Sequence, residues 1–275
     1  MKGTRSYRLA AGLLTVIALI VAGAFAMTMN RDEPREQLAD SATTTAEPPT
    51  RTDIAPSSRA PRPPAVDLYG ARLEVVDTDS GTALAQNPAD RIDPARPDYV
   101  TATPARLEWQ RGWGGAALPM SGADGPTRIE EGVATGFART PQGAVLAALD
   151  AAARALAAPE GVWEQVVQQR FYGEAKLTDR LVARYSLARA RTPDAARFVV
   201  VPDGVRLLPG YDGELAVIEA ATRDGSGGYS VSSWAMVWIG GDWRVRIPDN
   251  IETLWAPPRH ITNLTGFGVW KGSPR

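Results

Sequence analysis

The sequence predicts an α+β fold with three parts: an N-terminal transmembrane helix, a disordered Pro-rich tether, and a cone-like domain of three helices packed on a curved antiparallel sheet. Three observations predict it. An uncharged, mostly apolar run fills residues 9–29. Half of the chain's 22 prolines fall between residues 30 and 105, where no hydrophobic period persists. Beyond that point apolar residues recur at helical spacing, and after Pro193 they alternate as in strands. Helices followed by an antiparallel meander are an α+β arrangement. The expected division is a cytoplasmic head at 1–8, a transmembrane helix at 9–29, a tether at 30–105 and an extracytoplasmic domain at 106–275.

The apolar run comes first. As a helix, residues 9–29 would be about 30 Å long, enough to cross the hydrocarbon core of a bilayer. Lys2, Arg5 and Arg8 precede it, while Arg31 and Arg35 follow it among Asp32, Glu33 and Glu36. The positive-inside bias then leaves the N-terminus in the cytoplasm and the rest of the chain outside the cell membrane, as a single-pass protein. Ala24-Phe25-Ala26 also resembles a cleavage site, so a secreted chain released after Ala26 is the alternative. The run is longer than a usual signal core and continues past that site, which favours the retained anchor. Both readings export the domain.

Composition narrows the chemistry. A net charge of −1 gives no bulk attraction to nucleic acid or acidic lipid. The absence of cysteine excludes disulfides, thiol catalysis, cysteine-ligated zinc and a lipoprotein anchor. The tether would span about 50 Å root-mean-square. Within it, Leu68, Tyr69, Leu73, Val75 and Val76 form a strand-prone interruption. It reads as a short local hairpin or extended stretch, or else as a segment that adds a strand to a partner's sheet.

The domain begins near Trp109 and Trp113. Leu118-Pro119-Met120-Ser121 and Asp124-Gly125-Pro126 read as extended chain with tight turns, and residues 133–137 as a short strand. Thr140 caps a central helix, Pro141 fits its first turn, and Pro159 pushes Ala158 out of the α region and ends it. Apolar on nearly every side, this helix is expected to be buried. Asp150 and Arg154 are its only charges and stand i, i+4, with the acid first. A second short helix carries Val162, Trp163, Val166, Val167 and Phe171. A third covers about 177–190, with Leu181, Tyr185 and Ala188 on one face and Arg180, Arg184 and Arg191 on the other. Strands are expected at 197–201, 204–208, 214–222 and 229–239, and at Trp243, Val245 and Ile247. The glycine-rich stretch at 224–228 and Gly240-Gly241 supply hairpin turns.

Several residues carry candidate chemistry. Trp234, Met236 and Trp238 share one strand face and form a stripe that either closes the core or makes a pocket or partner platform. Arg180, Arg184 and Arg191 form a basic face, either solvated or in contact with a partner. The lack of interleaved aromatics argues against nucleic acid. Glu219 is the one mid-strand carboxylate, expected at an edge or paired with Arg244 or Arg246. His260 is the only histidine and is placed beyond the sheet. No catalytic, cofactor-binding or metal-binding set is expected. Residues 225–228 lack the Lys-Ser or Lys-Thr of a phosphate loop, and a lone histidine without clustered carboxylates makes no stable metal site. Asn263-Leu264-Thr265 matches a glycosylation sequon, and the apolar tail from Ile261 to Trp270 should pack on the domain or a neighbour.

Trp109 with Leu118-Pro119, then Asp124-Gly125-Pro126, then the block from Gly136 to Ala148, is similar to an uncharacterised actinobacterial domain of mobile elements. Three helices before a curved meander resemble the cone fold of nuclear transport factor 2. Anchor, tether and external cone together resemble the bitopic subunits of type IV secretion and conjugation machines. That resemblance implies a non-enzymatic, membrane-anchored envelope subunit. It would hold the lipid bilayer through 9–29 and assemble with other envelope or transfer proteins or with itself. The alternative is a ligand-binding or enzymatic cone-fold domain exported to the cell surface. The resemblance carries over no catalytic residues, and fold alone does not give function.

Overall fold

The computed structural model describes residues 62–271. The expected head, the expected transmembrane helix at 9–29 and the tether before residue 62 lie outside the described residues. Among the described residues, no helix is long and apolar enough to cross a membrane. The described residues form a mixed α+β fold, with three α-helices and a six-stranded sheet among them.

The first helix, α1 (Pro141–Ala157), forms as its sequence dictates. The Thr140 hydroxyl accepts from the Gly143 N–H at 3.0 Å and donates to Asp124 at 2.7 Å. Ala158 is extended before Pro159. Thirteen residues of the helix are buried, including Asp150 and Arg154. Helix α2 (Val162–Arg170) buries Trp163, Val166 and Val167, and α3 (Ala175–Arg191) buries Leu181, Tyr185 and Ala188. One contact between helices was not foreseen. Arg189 of α3 donates to the carbonyls of Ala155, Leu156 and Ala158, the free acceptors at the end of α1, and lies over the Trp163 ring.

The N-terminal strands are short. They are β1 (Ala65–Val66), β2 (Arg72–Leu73), β3 (Glu108–Arg111), β4 (Ala117–Met120), β5 (Arg128–Glu130) and β6 (Val133–Thr135), and they pair as three two-stranded ribbons. The main sheet takes β7 (Phe171–Tyr172), β8 (Gly204–Leu207), β9 (Leu215–Arg223), β10 (Tyr229–Ile239), β11 (Asp242–Arg246) and β12 (Arg259–Ile261). Its order is β7-β11-β10-β9-β8, with β12 also on β10. All pairs are antiparallel except β7 with β11, where the chain leaves α2 alongside β11. The turn from β10 to β11 is Gly240-Gly241, both at positive φ, as a tight hairpin requires. The register places Ala216 and Val245 beside Met236, Ile218 beside Trp234, and Trp243 beside Trp238. This face of the sheet packs on α1.

Three expectations need correction. The stretch 62–105, read as disordered tether, is folded onto the domain. Leu73 is fully buried, the Glu74 N–H donates to the Trp109 carbonyl, and Gln142 donates to the Tyr99 and Ala102 carbonyls. Its polar, proline-rich sequence builds no core of its own. Instead it satisfies its backbone through fixed partners: the Asp67 carboxylate accepts from Tyr69, Ala71 and Val201 N–H groups. The strand expected at 197–201 is instead a 3-10 turn, Ala195–Phe198, followed by extended chain. The backbone of that chain bonds Ala117 and Asp67 rather than a sheet neighbour. His260 lies within the sheet, on β12, opposite Ser230. The tail beyond it packs down: Gly268 exchanges hydrogen bonds with Val205, and Trp270 is 1% exposed.

Candidate functional site

Side-chain size along the strands determines where a site can form. On the face toward α1, β10 carries Met236 and Trp234 and then, toward the turn at 224–228, Ser232 and Ser230. Beside them, β9 carries Ala216 and Ile218, then Ala220 and Thr222. Large side chains hold α1 off the sheet at one end, and small ones leave the space open at the other. The result is a cavity of about 470 Å³, within the range of small-molecule sites. Leu149, Ala152 and Leu156 of α1 form its floor, Ala220 to Thr222 and Ser230 to Trp234 its wall, and the segments 198–202 and 253–259 its sides. Tyr69, from the stretch expected to be tether, contributes to the rim.

The charges around this cavity are all committed. Glu219 alternates to the opposite face of the sheet. Its carboxylate accepts from Arg206 at 2.8 Å and Arg259 at 2.9 Å, with the side chain 10% exposed. The Arg244 or Arg246 pairing expected for it is not formed, because Arg206 sits directly beside Glu219 in the ladder. Asp203 is held by Arg223, whose backbone N–H also donates to it, and by Lys271. Asp224 accepts from Ser226, Ser230 and the facing His260 Nδ1. Burial alone would raise the Asp224 carboxyl, but these hydrogen bonds overcome it and hold it at about 2. A carboxylate so stabilised is a poor proton acceptor near neutral pH. Among the described residues, no group of three His, Asp or Glu is placed to hold a metal ion. What the arrangement can do is sequester an apolar group against Leu149, Leu156 and Trp234, beside a row of hydroxyls.

The residues singled out from the sequence separate into different roles. Trp234 is half-buried and lines the cavity. Met236 is 1% exposed and belongs to the core. Trp238 lies at the far end, edge-on to Trp243 with centroids 5.5 Å apart and beneath Arg139. The stripe is therefore a sheet-to-helix seal whose Trp234 end faces the cavity. On α3, Arg180 and Arg191 are exposed. Arg184 lies 4.5 Å over the Trp255 ring and bonds Glu252, so it is packed rather than part of a free basic face. Sequence reasoning missed Ser230, Ser232, Thr222 and Tyr69. The available signal was the change from large to small residues at alternate positions of one long strand.

The block from Gly136 to Ala148 is a structural lock. The Asp242 carboxylate accepts from the Gly136 and Phe137 N–H groups, and the Trp243 indole donates to the Ala138 carbonyl at 2.9 Å.

A protein-family model described as "Domain of unknown function (DUF8175)" matches residues 74–269. No curated protein and no solved structure matches the chain.

Proposed function

Because the chain belongs to the DUF8175 family, whose function is unknown, its role has to be argued from its own residues, and we propose that it is a membrane-anchored, extracytoplasmic binding module that does not catalyse a reaction. The observation that carries this reading is the apolar cavity of about 470 Å³ over α1. Its nearest carboxylates, Glu219 and Asp224, are bound to Arg206, Arg259 and His260 rather than free to move protons. The apolar run at 9–29 and its charge flanks supply the anchor and the outward topology. The finer shape we read is a cone, its sheet curved around α1 and its mouth at the small-residue end.

Two measurements test this. The first titrates N-phenyl-1-naphthylamine, a neutral apolar dye, into the full chain in nanodiscs, with the Ala152→Trp chain in identical discs as blank. Saturable, single-site fluorescence above the blank supports the pocket, and equal signals remove it. The second adds protease to intact cells. Digestion of the domain supports export, and protection until lysis overturns it.

A second reading is favoured by a separate observation. Leu215 is 50% exposed and Val217 38% exposed, side by side on the sheet face away from α1. Such a strip suits contact with another subunit. It fits the resemblance to assembly components of conjugative or type IV-like transfer systems. Recovery of the tagged chain alone from mildly solubilised membranes would count against that reading.

A further inference from the structure

We propose that the face of the sheet away from α1 carries a second site, which takes a singly charged phosphodiester group between Arg206, Arg259 and the loop at 262–267. The inference goes beyond the cavity over α1 and does not rest on it.

The charges on that face do not balance. Arg206 lies beside Glu219 in the ladder, and Arg259 reaches the same carboxylate from β12. Both meet one oxygen, Oε2, at 2.7 and 2.9 Å. One carboxylate therefore answers two guanidiniums, and one positive charge is left over. The arginines also keep donors, because a guanidinium has several N–H groups in a fixed fork. Arg206 spends Nε and Nη2 on Glu219, and Arg259 spends Nη2. Nη1 of Arg206, and Nε and Nη1 of Arg259, have no hydrogen-bond partner among the described residues.

The two arginines line a cleft of about 380 Å³ whose described lining holds no carboxylate. The loop forms its other side and brings Thr262, Asn263 and Thr265. That loop is anchored. Gly268 exchanges hydrogen bonds with Val205, and the Phe267 ring centroid lies 4.4 Å from the Arg206 guanidinium. Gly204 makes room for Phe267, since a Cβ there would lie 2.9 Å from the Phe267 Cβ. The Asn263 side-chain oxygen accepts from the Thr265 N–H, which leaves its amide nitrogen as a donor. His260 is also on the rim, with its Nδ1 already on Asp224. Donors thus border one space on two sides. A tetrahedral phosphate group can use both sides at once, whereas a planar carboxylate is served by one guanidinium edge. A surplus of one charge matches a diester, which carries one, better than a monoester, which carries about two.

The test titrates dimethyl phosphate, acetate and the neutral trimethyl phosphate into the full chain in nanodiscs of a phosphate-free galactolipid, followed by isothermal calorimetry. Dimethyl phosphate should bind at a single site, roughly tenfold or more tighter than acetate, and trimethyl phosphate should give no saturable heat. Equal affinity for acetate, or no saturable binding of dimethyl phosphate, overturns the inference. Arg259→Gln leaves Arg206 and Glu219 balanced one to one. It should weaken dimethyl phosphate by roughly tenfold or more while Glu219 keeps a partner. Unchanged affinity overturns the role given to the surplus charge. A second variant, Thr265→Val, leaves every ion pair intact and removes one hydroxyl from the loop side. It should weaken dimethyl phosphate about threefold, and an unchanged value overturns the part given to the loop. Repeating the titration in phosphatidylcholine discs, which add phosphodiesters without net surface charge, identifies the source. Apparent affinity lowered about threefold or more assigns the site to a lipid headgroup already in place, and equal affinity assigns it to a phosphodiester from outside the bilayer.

Discussion

Arg170 donates to Asp242 across 2.7 Å, with both side chains almost removed from water. Arg170 ends α2 and Asp242 begins β11, so the pair joins the helical layer to the sheet. The surrounding bonds depend on it. Asp242 accepts from the N–H groups of Gly136, Phe137 and Trp243, and Arg170 also donates to the Trp243 carbonyl. Asp242→Ala would leave a buried guanidinium unpaired and three N–H groups without this acceptor. The expected cost is about 3–5 kcal/mol, typical of breaking a buried pair from one side. Urea unfolding followed by tryptophan fluorescence measures it. A loss well under 1 kcal/mol would show that this corner is held by packing alone.

The second buried pair should behave differently when both partners are removed. Arg154 Nε donates to both oxygens of Asp150, at 2.7 and 2.9 Å, and neither side chain is exposed. Burial raises the Asp150 carboxyl against the pull of Arg154. One Arg154 nitrogen, Nη2, is buried without a partner. The pair therefore carries a desolvation cost that its geometry only partly offsets. Asp150→Leu or Arg154→Met alone should destabilise by about 3–5 kcal/mol, while the two together should cost much less or nothing. Additive losses across this double-mutant cycle would contradict the argument.

How far the sequence disclosed this fold depends on the distance each interaction spans. The Thr140 cap, the end of α1 at Ala158 and the Gly240-Gly241 turn involve residues only a few positions apart, and all three are legible as written. The partners of Glu219 are 13 and 40 residues away, so only strand register could reveal them. The stretch after residue 62 looks too polar and proline-rich to fold, and by itself it makes no core. Its order comes from contacts such as Asp67 with Val201, 134 residues on. Trp234 and Met236 were legible as one strand face, and the same alternation carries that face on to Ser232 and Ser230. That it encloses a space follows only once α1 is seated against its larger end.

Gly143 gives a test in which two effects oppose each other. It stands in the first turn of α1, where alanine would ordinarily gain about 0.5–1 kcal/mol over glycine. A Cβ here, however, would lie 2.0 Å from the Ala138 carbonyl oxygen, a backbone atom also bonded by Trp243. That contact cannot be relieved by a side-chain rotation. Gly143→Ala should therefore destabilise by roughly 1–3 kcal/mol, as overpacking does. Gly225→Ala, with nothing within 4 Å, should stay within about 0.5 kcal/mol of the parent. A stabilised Gly143→Ala chain would mean that the approach of Ala138 is looser than described.

The Asp224–His260 contact predicts a specific acid response. Asp224 is held at about 2, below the roughly 3.9 of an unfolded aspartate. Its folded value being the lower, the stability it contributes is full above about pH 4 and lost as pH falls through about 2. Asp224→Asn should therefore be less stable than the parent at pH 6, by about 1 kcal/mol once solvent screening is allowed for. The difference should shrink steadily below pH 4, and the two urea midpoints should meet near pH 2. The convergence separates charge from shape, because asparagine keeps an acceptor for the Ser226 N–H that the carboxylate now serves. If the gap at pH 2 matched the gap at pH 6, the ionised carboxylate would not be what holds the turn at 224–228 against β12.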